Sequence, residues 1–308
     1  MRYLNIRSSD NLMTAVMKKI LYCVPFLLLC CFSTWEVHAW GKTGHAVVAE
    51  VAERYLKPKA RRQLAFYLDG KSLSSVASDA DKYRAVWTHD LGFVPVNPDE
   101  ARPRWLQGFD FTAPLNIAPY SHMITVDRDF LCPYTDNLNG EFINNIAVYI
   151  ERLASSIKED DGSMSVEDKK RAISLIVHFV GDMHCPGHIV YRPDNQLKGK
   201  YPVWWNGQQY TFHGFWDKQI FDVFGDSSHS EIASIIDTAS KKERLWVVSG
   251  DVYDHASDCA RVCWPIVNSC YEGIVLPSTY PEDMKPALYL QLRNAGYRLA
   301  DVLNTMFR

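Results

Sequence analysis

Apolar side chains recur every three or four positions through roughly 43–56, 59–69, 138–158, 166–185, 213–224, 230–239 and 284–306. That period lays one apolar stripe along an α-helix, so each stretch is expected to form several helical turns. Extended structure is confined to short pieces, Thr211-Phe212 and the run from Ile117 to Val126. Pro, Gly and Asn gather at 92–119 and 192–210, which read as long connections, and connections of that length commonly flank a functional site. No internal repeat, low-complexity tract or linker divides the chain, so residues 40–308 are expected to form one all-α domain.

The first 39 residues break this pattern. Met17-Lys18-Lys19, a second candidate start, is followed by an apolar run from Ile20 to Leu29, too short for the roughly 20 residues that span a bilayer. A charged start, a short apolar core and Val37-His38-Ala39 with small residues at −3 and −1 read as a cleaved export signal that leaves Trp40 first. The other readings are a buried apolar helix and lipidation at Cys30 or Cys31, although neither cysteine follows the small residue usual at a lipidation site. Residues 1–39 are thus expected to be a signal peptide and the product periplasmic or secreted, with no stable membrane insertion.

Composition changes the picture little. The chain has 308 residues, 47% hydrophobic and 22% charged, which is globular and excludes disorder or a strongly basic nucleic-acid arm. Cleavage would leave 29 basic and 34 acidic residues, so a polyanionic substrate would have to be held by local chemistry. Five cysteines would remain: Cys132, Cys185, Cys259, Cys263 and Cys270. In an oxidising compartment, a bridge from Cys132 to the 259–270 cluster and another within that cluster are expected, with Cys185 as the free thiol. The chain has no Asn-x-Ser/Thr sequon, which favours a bacterial periplasm.

The ten histidines carry the chemistry. His178 and Asp182 stand four apart and so share a helix face, and Pro186 turns the chain where His188 could swing back to them. His213 and Asp217 repeat the same spacing. One His/Asp pair is usually only a hydrogen-bonded pair; two pairs plus His188 make a nitrogen and oxygen donor set suited to zinc. His184, two residues from Asp182, should point away and serve a structural role. His89, His229 and His255 show no ligand spacing and read as surface or core residues.

From Trp40 to Phe307 the chain resembles the zinc-dependent S1/P1 nuclease family, related to bacterial zinc phospholipase C. The resemblance rests on Trp40-Gly41-Lys42-Thr43-Gly44-His45, Ser78-Asp79-Ala80-Asp81-Lys82-Tyr83-Arg84, Tyr120-Ser121-His122-Met123-Ile124, the two helical pairs, and Gly296-Tyr297-Arg298-Leu299-Ala300-Asp301-Val302-Leu303-Asn304. It implies a multi-helix phospholipase C/P1 nuclease-like fold with three zinc ions per chain. Asp81, His122, His178 and Asp182 would hold the first, and Trp40, His45 and Asp182 the second. His188, His213 and Asp217 would hold a third, more open ion. Asp81, Arg84 and Asp182 would form the catalytic set, with Arg84 adding charge near the phosphate and the cations activating water and neutralising the 3′ leaving oxygen.

The implied substrates are single-stranded nucleic acid and 3′-nucleotides, cut to 5′-phosphate products. Trp204, Trp205 and Tyr210 could stack unpaired bases or plug the core. The sequence departs from the family where a base is usually held, since Met123 and Thr125 replace an aromatic and an acidic or Asn residue; elsewhere Cys185 replaces a Gln and Pro193 to Gly199 replaces a Gly-Gly-Asn stretch, changes that spare the metal positions but alter the cleft. Two alternatives remain, a zinc phospholipase C-like phosphoesterase and a non-catalytic exported zinc-binding protein. Protein partners are unknown from sequence.

Overall fold

A computed structural model describes residues 40–83, 85–88, 92–95, 122–139, 141–143, 145–192, 199 and 201–308. The described residues begin with α1 (Gly41–Arg54), α2 (Pro58–Tyr67) and α3 (Leu73–Val76), and continue through a 3₁₀ turn, Asp79–Tyr83. Next come the antiparallel strands β1 (Ala85–Thr88) and β2 (Gly92–Pro95), then β3 (Ile124–Val126) and a minimal hairpin of β4 (Asn137–Leu138) and β5 (Glu141–Phe142). Helices α4 (Ile146–Lys158) and α5 (Val166–Met183) follow, and the 3₁₀ turn Pro186–His188 leads into β6 (Ile189–Tyr191), which pairs parallel to β3. A hairpin of β7 (Pro202–Trp205) and β8 (Gln208–Thr211) feeds α6 (Phe212–Asp217) and a third 3₁₀ turn, Gln219–Phe224. Helices α7 (His229–Ile236), α8 (Lys241–Val247) and α9 (Val252–Ser269), strand β9 (Val275–Leu276) and helix α10 (Tyr280–Met306) complete the fold.

Local chemistry sets these boundaries. Asn145, Ser165 and Thr211 each accept a backbone N–H at the start of α4, α5 and α6. Reciprocal capping boxes open α7 (Ser228 with Glu231), α8 (Ser240 with Glu243) and α9 (Asp251 with Asp254), satisfying donors that a helix start otherwise leaves unpaired. Pro58 and Pro281 occupy the first turns of α2 and α10, where a missing N–H costs nothing.

Helix α5 is the centre of the molecule. From Ala172 to Met183 every residue is buried, the pattern of a helix enclosed on all sides. It packs on α4, α10 and α1, while α1 lies mainly against α10. Gly296 on α10 makes that last contact possible: a Cβ there would overlap the Val51 side chain and lie 3.1 Å from the Val48 carbonyl oxygen. Gly296→Ala is therefore expected to lower stability by about 2 kcal/mol despite the better helix propensity of alanine, as a lower urea midpoint would register.

The mainly helical expectation is met, with differences at particular elements. The stretch expected as one helix from 138 starts at Ile146, because Asn145 caps it and the preceding residues form the β4–β5 hairpin. The expected connection 192–210 contains β7 and β8, and the helices Lys241–Val247 and Val252–Ser269 were not foreseen. Among the described residues, no helix is long and apolar enough to cross a membrane.

The expected disulfides are absent: all five cysteines from Cys132 to Cys270 are buried free thiols. Each has its own surroundings. Cys132 lies 3.4 Å from Asn145 Oδ1, Cys263 accepts from Gln291 at 2.9 Å, Cys259 accepts from Arg298 at 3.4 Å, and Cys270 lies 3.7 Å from the Tyr280 hydroxyl. Cys259 and Cys263 also sit four apart on the continuous helix α9, so they share a face without the approach a bridge needs.

His184 and His255 are structural. His184 Nδ1 donates to the Val180 carbonyl at 2.8 Å, and its Nε2 accepts from Arg298 at 3.1 Å. His255 is buried with Nε2 3.1 Å from the Ser249 carbonyl. Burial, reinforced by Arg298, pushes the His255 imidazole down to about 4. The unfolded chain titrates near 6.5, so between these values it binds more protons than the fold. The contribution is complete above pH 6.5 and is lost as pH falls through 4, by about 3 kcal/mol. His255→Gln should therefore lose less stability than the parent between pH 7 and pH 4 in urea denaturation; parallel losses would refute the assignment. His229 lies half-buried at the start of α7, and His89 falls outside the described residues.

Candidate metal centre

Helix α5 presents His178 and Asp182 on one face, with His178 Nε2 3.3 Å from Asp182 Oδ2. His178 Nδ1 donates to the Ala77 carbonyl at 2.9 Å, so Nε2 is left as the nitrogen with the lone pair. That nitrogen faces His122 Nδ1 at 3.0 Å and lies 3.8 Å from Asp81 Oδ1. His122, just before β3, places Nδ1 2.7 Å from Asp182 Oδ2. On the other side of the carboxylate, His45 of α1 brings Nε2 to 3.2 Å from Asp182 Oδ1, and its ring stacks on His178 with centroids 3.9 Å apart. Gly181 makes room for that ring, since a Cβ there would lie 2.6 Å from His45 Nδ1. Asp182 thus stands between two groups of donors.

The third group forms where the turn after α5 meets α6. His188 Nδ1 donates to the His122 carbonyl, which fixes the tautomer and leaves Nε2 to face His213 Nε2 at 2.6 Å and Asp217 Oδ1 at 3.4 Å. His213 Nε2 is 2.9 Å from Asp217 Oδ2. Thr211 caps α6 through Gly214, so the His213/Asp217 pair sits on a fixed first turn. Cys185 joins this group with Sγ 3.7 Å from Asp217 Oδ1. From sequence it is a free thiol and a replacement for a Gln, not a ligand; its position three residues before His188 was the available signal.

Trp40 reaches the same cluster: its backbone nitrogen lies 3.2 Å from Asp217 Oδ1, beside the third group, and its carbonyl accepts the Gly44 N–H at 3.0 Å. In the continuous chain this nitrogen is a peptide N–H, which has no lone pair to give and turns to a carboxylate instead. The indole Nε1 donates to the Gly181 carbonyl at 2.6 Å, so the ring is anchored on α5. Arg84 lies outside the described residues. Met123 and Thr125 are buried at and within β3. Trp205 and Tyr210 pack edge-on against Phe215, whereas Trp204 is 39% exposed.

The electrostatics favour cations. Burial opposes ionisation of Asp182, but the imidazoles of His178, His188 and His122 more than offset it and hold the carboxyl well below its usual range. Burial likewise opposes ionisation of Asp217, and His213 and His188 hold it low. Burial lowers His122, His178 and His213, while Asp182 and Asp217 overcome burial at His188 and push it up to about 9.

Several buried atoms have no hydrogen-bond partner: both ring nitrogens of His45, His122 Nε2, Asp182 Oδ1 and Asp217 Oδ2. The His45–Asp182 approach is close in distance but is not aligned as a hydrogen bond. Orphaned polar atoms of this kind are costly in a packed interior. Three groups of metal donors converge here: His45, His178 and Asp182; Asp81, His122 and His178; and Cys185, His188 and Asp217. Imidazole nitrogens and carboxylate oxygens in such clusters fit zinc, and the backbone carbonyls that orient His178 and His188 are the usual outer partners of ligating histidines.

The family description S1/P1 Nuclease matches residues 40–308. Nuclease P1 of Penicillium citrinum is 27% identical over 86% of this chain and 97% of its own length. Endonuclease 2 of Arabidopsis thaliana is 24% identical over 88% of this chain and 92% of its own length. Nuclease S1 of Aspergillus oryzae is 24% identical over 85% of this chain and 90% of its own.

Proposed function

The chain belongs to the S1/P1 nuclease family and is a hydrolase of phosphodiester bonds, and on that premise we propose that it is an exported, zinc-dependent enzyme. It cuts single-stranded RNA and DNA to 5′-phosphate products and removes the phosphate of 3′-nucleotides. The observation that carries this reading is the cluster of buried, unpartnered nitrogen and oxygen atoms around Asp182 and Asp217. Export is supported by the apolar leader before Trp40 and by a family match that begins at residue 40.

Three zinc ions would be held by the three groups, with Asp182 offering one oxygen to each of the first two. Bound zinc supplies a strong Lewis acid that activates water and offsets charge on phosphate. His122 and His178 orient one side of the Asp182 carboxylate, with Asp81 beside His178, and His45 orients the other. His188, His213 and Asp217 face the leaving side, and Arg84 adds positive charge to the phosphate oxygens. Because the ligating side chains are at most 12% exposed, a strand has to bend its backbone into a recess to bring a phosphate to them. An unpaired strand does so without the cost of opening base pairs, and the exposed Trp204 offers a face on which a base can stack.

The test is hydrolysis of single-stranded DNA, RNA, a 3′-nucleotide and phosphatidylcholine before and after chelation, with elemental analysis of the purified protein. The expected result is about three zincs, cleavage of the first three substrates only, and loss of cleavage on chelation with recovery on adding zinc. Chelation should also lower the melting temperature, since ligands from α1, α5 and α6 no longer share cations. Turnover of phosphatidylcholine alone would overturn the nuclease reading, and undiminished cleavage without metal would overturn the zinc reading.

A further inference from the structure

We propose that Cys185 is a fourth protein ligand at the third group, so that this chain holds that cation with one sulfur, two nitrogens and one oxygen. The inference rests on the zinc reading above and concerns a residue that the implied ligand set leaves out. Cys185 and His188 form a Cys-x-x-His pair across the 3₁₀ turn Pro186–His188. In a turn of three residues, side chains three apart point the same way. The turn is fixed at both ends, with Cys185 N donating to the Asp182 carbonyl and His188 N donating to the Cys185 carbonyl, each at 2.9 Å. The thiol is fully buried.

The separations within Cys185, His188 and Asp217 agree with a shared cation. Zinc bonds of about 2.3 Å to sulfur and 2.0 Å to nitrogen or oxygen, set tetrahedrally, separate S from O by about 3.5 Å and N from O by about 3.3 Å. Cys185 Sγ lies 3.7 Å from Asp217 Oδ1, and His188 Nε2 lies 3.4 Å from the same oxygen. Independently, Asp217 Oδ2 is buried with no aligned hydrogen-bond donor although His213 Nε2 lies 2.9 Å away, which leaves that oxygen turned into the donor group. As the cation binds, the S–H bond breaks, the sulfur lone pair forms the metal bond and the proton leaves to solvent. Four protein donors would close the coordination sphere more than three do, and a sulfur donor shifts preference toward softer metals.

Among the described residues, Cys185 is the one cysteine found in a group of metal donors, so a sulfur signal can be traced to it. The full-length protein, stripped and reloaded with cobalt(II), is measured by absorption alongside Cys185→Ser, Cys185→Ala and a Cys270→Ser control, with cobalt counted in each. A sulfur-to-cobalt charge-transfer band in the parent and in Cys270→Ser, lost in both Cys185 variants, supports the proposal. A parent with a full cobalt complement and no such band, or a band that persists in Cys185→Ser, overturns it, and if the variants fail to fold the parent spectrum decides alone. Protein that binds cobalt and cleaves DNA without the band fails this inference only; protein that binds no cobalt fails the zinc reading with it.

Discussion

Asp182→Asn should leave a folded protein whose kcat/KM on single-stranded DNA is lower by about a thousandfold. The substitution keeps the shape of the side chain and removes the charge that His45, His122 and His178 surround at 2.7 to 3.3 Å. An amide has one oxygen and a donor NH₂, so it cannot offer an acceptor to both groups of imidazoles. Losing the cations that this carboxylate would hold removes several kcal/mol of transition-state charge stabilisation, roughly 4 kcal/mol, and each 1.4 kcal/mol of barrier is about tenfold in rate. Zinc content should fall together with activity while the far-ultraviolet circular dichroism stays helical. A variant that retains its metal and stays within tenfold of the parent would remove Asp182 from the centre of the reaction.

A chain that starts at Ala39 should be about a hundredfold less active at limiting zinc than one that starts at Trp40. The Trp40 nitrogen already lies within the cluster, 3.2 Å from Asp217 Oδ1, with the indole anchored on Gly181. As an amide it can only donate. As a free amine near neutral pH it can deprotonate and bind a cation. Side-by-side preparations of the two chains, compared for zinc content and for rate against zinc concentration, would test this. Equal curves would show that the terminal amine plays no part.

The helical pairs were legible because the α-helical period is rigid: residues four apart must share a face, and His213 and Asp217 do so at 2.9 Å. The meeting of α1, α5, α6 and the turns between them was not legible from spacing, since no local rule says which helices cross; that came from the family resemblance. Helix α9 escaped because Pro265 and polar residues interrupt its stripe. Its capping box, Asp251 with Asp254, was the missed signal. The β7–β8 hairpin was hidden in a stretch read as a connection, although Asn206-Gly207, with φ of 48° and 76°, is the dipeptide that favours such a turn. The disulfide expectation failed because counting cysteines says nothing of direction: four of the five thiols meet non-cysteine partners in the core, and Cys185 faces Asp217.

The seating of α1 on α10 has a consequence for synthesis. The helix that carries His45 leaves the ribosome before the other described elements, yet the surface that covers Val48 and Val51 belongs to α10, the last of them in chain order. A lone helix of 14 residues is marginal in water, and contacts between opposite ends of a chain form late. A polypeptide that still lacks α10 therefore lacks a held His45, and its donor cluster stays open until that helix has been made and docked.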